Sequence, residues 1–213
     1  MGGTCSVLLA TSFAADLQLT ARAADTSALA DLVVVLVPAA PASPETAAVR
    51  VQGPWLMDQV QMQFEPEVLV VPVGAEVAFP NSDTVAHQVY SFSPTRRFSL
   101  GLYRGKRYPP IDFTKPGLVV LGCNIHDSMV GYIFVAESPY FGKTDAAGQL
   151  QLTGLPAGTY SIKVWSSRFK GEDPLLLQTL TLKATDAIAV PLTVNRALLP
   201  PRAVHSHPKG MRY

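Results

Sequence analysis

One stretch constrains the fold of this chain more than any other: Gly117-Leu-Val-Val-Leu-Gly-Cys123-Asn-Ile-His126-Asp-Ser-Met129-Val-Gly-Tyr-Ile-Phe-Val135. Two apolar runs rich in β-branched residues flank a short polar loop, which is the pattern of strand, loop and strand. The loop carries a thiol, an imidazole and a thioether, each three residues after the last. Two imidazoles and a thiolate in a plane, with a weak thioether along the axis, make up a mononuclear copper site. The stretch supplies all of these but one imidazole. His87 is the candidate for it, in Val77-Ala-Phe-Pro-Asn81-Ser-Asp-Thr-Val-Ala-His87-Gln-Val-Tyr-Ser-Phe92.

These residues resemble a known family. Cys-x-x-His-x-x-Met followed by a Gly and an apolar strand is similar to the copper loop of amicyanin-type cupredoxins. The upstream Val-x-Phe-x-Asn-x-Asp…His-x-Val pattern is similar to the segment that gives cupredoxins their first His ligand. A wider match, from Phe64-Glu-Pro-Glu-Val-Leu-Val-Val-Pro-Val-Gly74 to Val135, resembles bacterial proteins described as plastocyanin-like or methylamine-utilisation proteins. The resemblance implies one copper ion per chain, held by His87, Cys123, His126 and Met129. It also implies a Greek-key β-sandwich that carries single electrons between redox partner proteins, such as a cytochrome or a dehydrogenase, in the periplasm or outside the cell. Two positions depart from the family, Gln88 where it commonly has Asn and Asp127 where it has Pro. The backbone N–H after His87 is expected to hydrogen-bond the Cys123 sulfur and tune the potential.

Each ligand also has a plainer reading. A lone Cys or Met in such runs is usually a buried apolar filler, and His87 alone can be a satisfied polar residue. A Cys–His–His set also suits zinc, although the thioether does not. Four ligands leave no open position for a substrate, so no enzymatic activity is expected. The alternative function is a copper-binding or partner- or glycan-binding sandwich without an electron-transfer role.

Composition narrows the class further. Among 213 residues, 17 Lys and Arg balance 16 Asp and Glu, so no charge excess points to nucleic acid. The 18 Pro and 15 Gly break the apolar runs into short pieces without helical period, which favours an all-β fold. The longest uncharged apolar run, from Leu32, is too short to cross a bilayer. Residues 1–15 read as a candidate signal peptide with a small-x-small site near Ala14, although no Lys or Arg precedes its apolar part. Its removal would take Cys5 away and leave Cys123 as the single thiol.

Strands are expected at 16–22, 32–37, 60–64, 67–71, 76–79 and 87–92, with the cupredoxin domain over 56–137. Three prolines between Pro38 and Pro44 mark a linker. Beyond Val135, Thr144–Trp165 and the runs Leu175–Leu182 and Ile188–Thr193 resemble part of a carboxypeptidase-regulatory-like, transthyretin-like sandwich. Residues 16–50 look like its first strands and 138–195 its remainder, although Thr26-Ser27 stands where that family has a Gly turn. Two arrangements remain open, a cupredoxin inserted into this second small sandwich or two domains in series. Residues 196–213 are expected to be a disordered tail. Arg96, Arg97, Arg104, Lys106 and Arg107 form a basic stretch, either a docking face for an acidic redox partner or a solvated loop lying over apolar surface.

Overall fold

The computed structural model describes residues 14–40, 53–105, 108–171 and 173–200. Within them the chain is all-β, as its short apolar runs predict, and is built from 17 strands. In chain order these are β1 (Ala15–Ala23), β2 (Val33–Pro38), β3 (Trp55–Leu56), β4 (Asp58–Val60), β5 (Gln63–Glu65), β6 (Val68–Pro72), β7 (Ala75–Ala78), β8 (Val89–Ser91) and β9 (Phe98–Ser99). They continue as β10 (Ile111–Phe113), β11 (Gly117–Cys123), β12 (His126–Ala136), β13 (Phe141–Lys143), β14 (Gln149–Leu155), β15 (Gly158–Trp165), β16 (Leu175–Leu182) and β17 (Ala187–Val194). No helix among the described residues is long and apolar enough to cross a membrane.

The strands form two groups of sheets. A five-stranded sheet, β6-β12-β11-β8-β9, and a three-stranded sheet, β10-β7-β3, belong to the middle of the chain, with the hairpin β4-β5 beside them. Sheets β14-β1-β17 and β13-β2-β15-β16 draw on both ends of the chain. Among the described residues, β1 pairs with β14 and, in parallel, with β17, while β2 pairs with β13 and β15. Side chains tie the same segments together: Ser138 Oγ donates to the Leu36 carbonyl, and Thr144 Oγ1 donates to the Leu29 carbonyl while accepting from the Leu32 N–H at 3.0 Å.

Strand β12 is the wall between two cores. Its alternate residues Met129, Ile133 and Val135 face one apolar cluster with Val119, Leu121 and Cys123 of β11. Tyr132, Phe134 and Ala136 face the other, with β2, β15 and β1. A period of two in side-chain direction makes this division automatic once the register is set. Trp165, at the end of β15, packs its ring 5.3 Å from Tyr132 and 5.8 Å from Phe134, joining the two groups of sheets. The run Val33–Leu36 in β2 is buried on both faces, so its lack of alternation reflects a central position rather than helix.

Several expectations need correction. The expected single strand over 60–64 is a hairpin, β4 and β5, because Gln61 and Met62 both take positive φ (51° and 57°) and reverse the chain. The strand expected from His87 begins at Val89, and His87 itself makes an isolated bridge to Tyr103. Pro38 closes β2 opposite Tyr160 instead of opening a linker. Residues 196–200, assigned to the tail, are held in place. Arg196 donates to the Asp173 and Lys170 carbonyls and lies 5.2 Å over the Phe169 ring, and the Leu199 N–H reaches the Arg168 carbonyl at 2.8 Å. The leader as far as residue 13, the Pro41–Pro44 part of the linker and the tail from 201 fall outside the described residues, and Ala15, the leader's last expected residue, opens β1.

Trp165 links the two cores, so truncating it should loosen both. Trp165→Ala is expected to cost about 3–5 kcal/mol. Denaturant unfolding followed by both far-ultraviolet circular dichroism and tyrosine fluorescence should remain one transition at a lower midpoint.

Candidate metal centre

The two strand ends and one loop bring three donor atoms together. Cys123 closes β11, His126 opens β12 three residues later, and His87 precedes β8, which pairs with β11 at Cys123 and Val89. His87 Nδ1 and His126 Nδ1 lie 3.1 Å apart, and Cys123 Sγ lies 3.7 Å from the first and 3.6 Å from the second. A first-row metal ion about 2.0 Å from nitrogen and about 2.3 Å from sulfur, in a plane at 120°, would set the nitrogens about 3.5 Å apart. Each nitrogen would then stand about 3.7 Å from the sulfur. The triangle in the structure matches those spacings closely on the sulfur sides and is somewhat tighter between nitrogens. These three residues can therefore hold a metal ion.

Met129 is 1% exposed and belongs to the same buried cluster as Cys123 and Val89. Period-two alternation along β12 places it on the inner face with Ile133 and Val135. The four residues expected as ligands thus share one end of the sandwich. Three have donor atoms in mutual reach, and Met129 is a sulfur-bearing residue buried in the same cluster as Cys123.

A polar network fixes His87. The ring is fully buried, and its Nε2 faces the Asp83 carboxylate at 3.0 Å, which leaves Nδ1 to point at the cluster. The same carboxylate accepts the Met62 N–H at 2.7 Å, so the turn of the β4–β5 hairpin shares the anchor. The main chain of His87 exchanges two hydrogen bonds with Tyr103, at 3.0 and 2.9 Å. Tyr103 is itself held by its hydroxyl, which donates to the Phe79 carbonyl at 2.8 Å and accepts from Gln59. Asn81 Nδ2 donates to the Val85 and Tyr103 carbonyls, and its Oδ1 accepts the Asp83 N–H, shaping the loop between β7 and His87. The chain thus spends four polar side chains on one imidazole's orientation.

The electrostatics follow from burial and partners. Burial pushes the Cys123 thiol up, but hydrogen bonds from His87, from the Gln88 and Ile125 N–H groups and from His126 outweigh it, and the thiol is brought down to about 6. The Gln88 N–H reaches the sulfur although the residue is not Asn; its side-chain oxygen meanwhile accepts from Asn124 at 3.3 Å. Burial alone would lower the His87 imidazole, but the Cys123 and Asp83 partners hold it above its ordinary value. Burial would raise Asp83, yet the Met62 and Thr84 N–H groups and His87 keep it below the usual carboxylate range. A thiolate ready at neutral pH is the donor state of sulfur that a soft metal ion requires.

The sequence points to His87, Cys123 and His126, which the structure brings together, and to Met129, which it buries in the same apolar cluster as Cys123; it gave no sign of Asp83, Tyr103 or Gln59. Asp83 stood in the Asn-Ser-Asp run four residues before His87, a spacing that signals contact only in a helix, and here a loop delivers it. Of the basic stretch, Arg97 and Arg104 are exposed and Arg96 is half-buried, while Lys106 and Arg107 lie outside the described residues.

No protein-family model matches the chain, and no curated protein matches it in sequence. Solved structures that resemble part of it are cupredoxins and a related enzyme. A copper-containing nitrite reductase from Thermus scotoductus SA-01 is 30% identical over 46% of this chain, with a TM-score of 0.38, and this chain spans 27% of that one. A purple cupredoxin from Nitrosopumilus maritimus is 22% identical over 39% of this chain and 100% of its own, with a TM-score of 0.33. A mutant of amicyanin in its reduced Cu(I) form at pH 4 is 23% identical over 48% of this chain and 97% of its own, with a TM-score of 0.35.

Two outcomes test the site. In the metal-free protein, thiolate ultraviolet absorbance should rise with a midpoint at about pH 6 instead of the ordinary 9.0, and Cys123→Ser should abolish the rise. Because the folded-state value is the lower one, the thiolate's contribution to stability is fully present above pH 9 and is lost as pH falls through about 6. Asp83→Ala should strand the His87 Nε2–H and the Met62 N–H, costing about 1–3 kcal/mol in denaturant unfolding. Competition against a chelator should then show metal affinity down about 10–100-fold.

Proposed function

We propose that this chain is a periplasmic or secreted type 1 copper protein that carries single electrons between redox partner proteins. The observation that carries this reading is the triangle of His87 Nδ1, His126 Nδ1 and Cys123 Sγ at 3.1, 3.6 and 3.7 Å, with Met129 buried in the same cluster as Cys123. One copper ion per chain would be held by His87, Cys123, His126 and Met129 and would supply one-electron chemistry. Residues 56–137 form the cupredoxin unit in this reading. It is inserted into a regulatory-like sandwich made of 16–50 and 138–195, an arrangement supported by the pairing of β1 and β2 with strands beyond residue 140.

The chain's own residues do the rest. Rigid strands and the Asp83–His87–Tyr103 network keep the donors where they are, so little rearrangement accompanies a change in oxidation state. The N–H groups of Gln88 and Ile125 stabilise negative charge on the sulfur. His87 is sealed from water, while His126 is half-buried between exposed Asn124, Ile125 and Asp127 and so gives the cluster its edge toward solvent. All four proposed donors come from the chain, which leaves no position assigned to a substrate and favours a carrier over an enzyme.

Copper(II)-loaded protein should be strongly coloured and should bleach reversibly on reduction. Cys123→Ala should remove the colour. Met129→Leu should keep it and move the reduction potential upward, as redox titration would show, because the weak axial donor is gone. A colourless wild type after copper(II) loading defeats the carrier reading and leaves the alternative, a copper- or partner-binding sandwich, or a zinc protein.

A further inference from the structure

Phe92 is 74% exposed, more than any other large apolar side chain among the described residues. It directly follows β8, and its ring packs 4.9 Å from that of Tyr90. With Pro94, Val120, Gly122 and Val130 the two rings line an open groove of about 380 Å³. The groove lies on the outer side of the five-stranded sheet, since Val119, Leu121 and Cys123 of β11 point inward and Val120 and Gly122 outward. Farther along the same side, Tyr132 and Phe134 are covered by Trp165. The end nearest the metal centre is left uncovered.

The groove also reaches the thiol's own strand. A Cβ on Gly122 would lie 2.7 Å from both Cζ and Oη of Tyr90, so the absence of a side chain lets that ring rest on the main chain one residue from Cys123. The segment that carries Tyr90 and Phe92 has charge of one sign: residues 87–105 include Arg96, Arg97 and Arg104 and no Asp or Glu. Arg96 and Arg97 directly follow the turn at Pro94-Thr95; Arg96 is half-buried and Arg97 is exposed.

We propose that this groove docks an acidic one-electron carrier protein, whose apolar side chains seat against Phe92 and Tyr90 while its carboxylates face Arg96 and Arg97. The proposal rests on the carrier function above and names the partner's chemistry and its point of contact. Aromatic anchors in an apolar pocket with a charged rim are the composition that concentrates binding energy and speeds encounter. The electron passes from the partner, which is oxidised, across the Tyr90 ring and the Gly122 main chain to Cys123. A copper ion held there would take up that electron, and no bond is made or broken. The competing surface is the edge around His126, where Ile125 and Leu102 are 49% and 59% exposed.

Flavodoxin, a strongly acidic one-electron carrier, serves as the probe. Titrated into the isotope-labelled, metal-free protein at low salt, it should shift the amide signals of Phe92, Ser93, Val120 and Val130, and raised salt should reverse the shifts. Phe92→Ala should weaken binding about fivefold or more. In stopped flow, the same variant should slow reduction of the copper-loaded protein by reduced flavodoxin by a similar factor, with colour and potential unchanged. Shifts confined to Leu102, Ile125 and His126, no shifts at all, or a rate slowed by Leu102→Ala but not by Phe92→Ala would each overturn the proposal. A colourless copper-loaded wild type would count against the carrier function instead, and the metal-free titration would still decide the surface.

Discussion

The structure depends on one strand being buried on both faces. β12 sends Met129, Ile133 and Val135 into the core that holds Cys123, and Tyr132, Phe134 and Ala136 into the core shared by both ends of the chain. A slip of one residue would exchange the two sets, placing three aromatic or apolar residues of one core in the other and turning Met129 outward. Register is therefore penalised from both sides at once, and the His126 end of the strand inherits that precision. A metal-binding cluster needs donors fixed to within a fraction of an ångström, and a doubly buried strand is a means of fixing them.

Burial of His87 has the opposite character, being polar rather than apolar. An imidazole with no exposure would be costly without partners, and Asp83 on one nitrogen and the cluster on the other satisfy it. The same carboxylate holds the Met62 N–H at the hairpin turn, so the loop that positions His87 is braced by a second element. Tyr103, Gln59 and Asn81 extend this bracing without touching the cluster's donor atoms. The site end of the sandwich is organised by hydrogen bonds, and the far end by aliphatic packing.

The second group of sheets does more than append a domain. Trp165 and the strands around β2 cover most of the outer side of β12, converting what would be a solvent-facing sheet into a shared wall. That cover stops short of β8, and the exposed Phe92 and Tyr90 mark where it ends. A single architectural choice thus rigidifies the metal-binding strands and leaves one aromatic face free beside them.

The sequence alone pointed to the strand–loop–strand around Cys123 and to the meeting of Cys123 and His126 with His87, because ligand chemistry restricts residue type and period two restricts direction. It also determined the all-β class, since prolines and glycines leave no room for a helical period. It misjudged 60–64, where two ordinary side chains at Gln61 and Met62 adopt positive φ without the Gly or Asn that would have signalled a turn. Only the tertiary structure decided which strands β1 and β2 pair with, that Val33–Leu36 is buried on both faces, and that Asp83 reaches His87. These are contacts between residues distant in sequence or joined by irregular backbone. Their partners are chosen by which surfaces remain to be covered once the local strands have formed, and no local pattern of residue types records that choice.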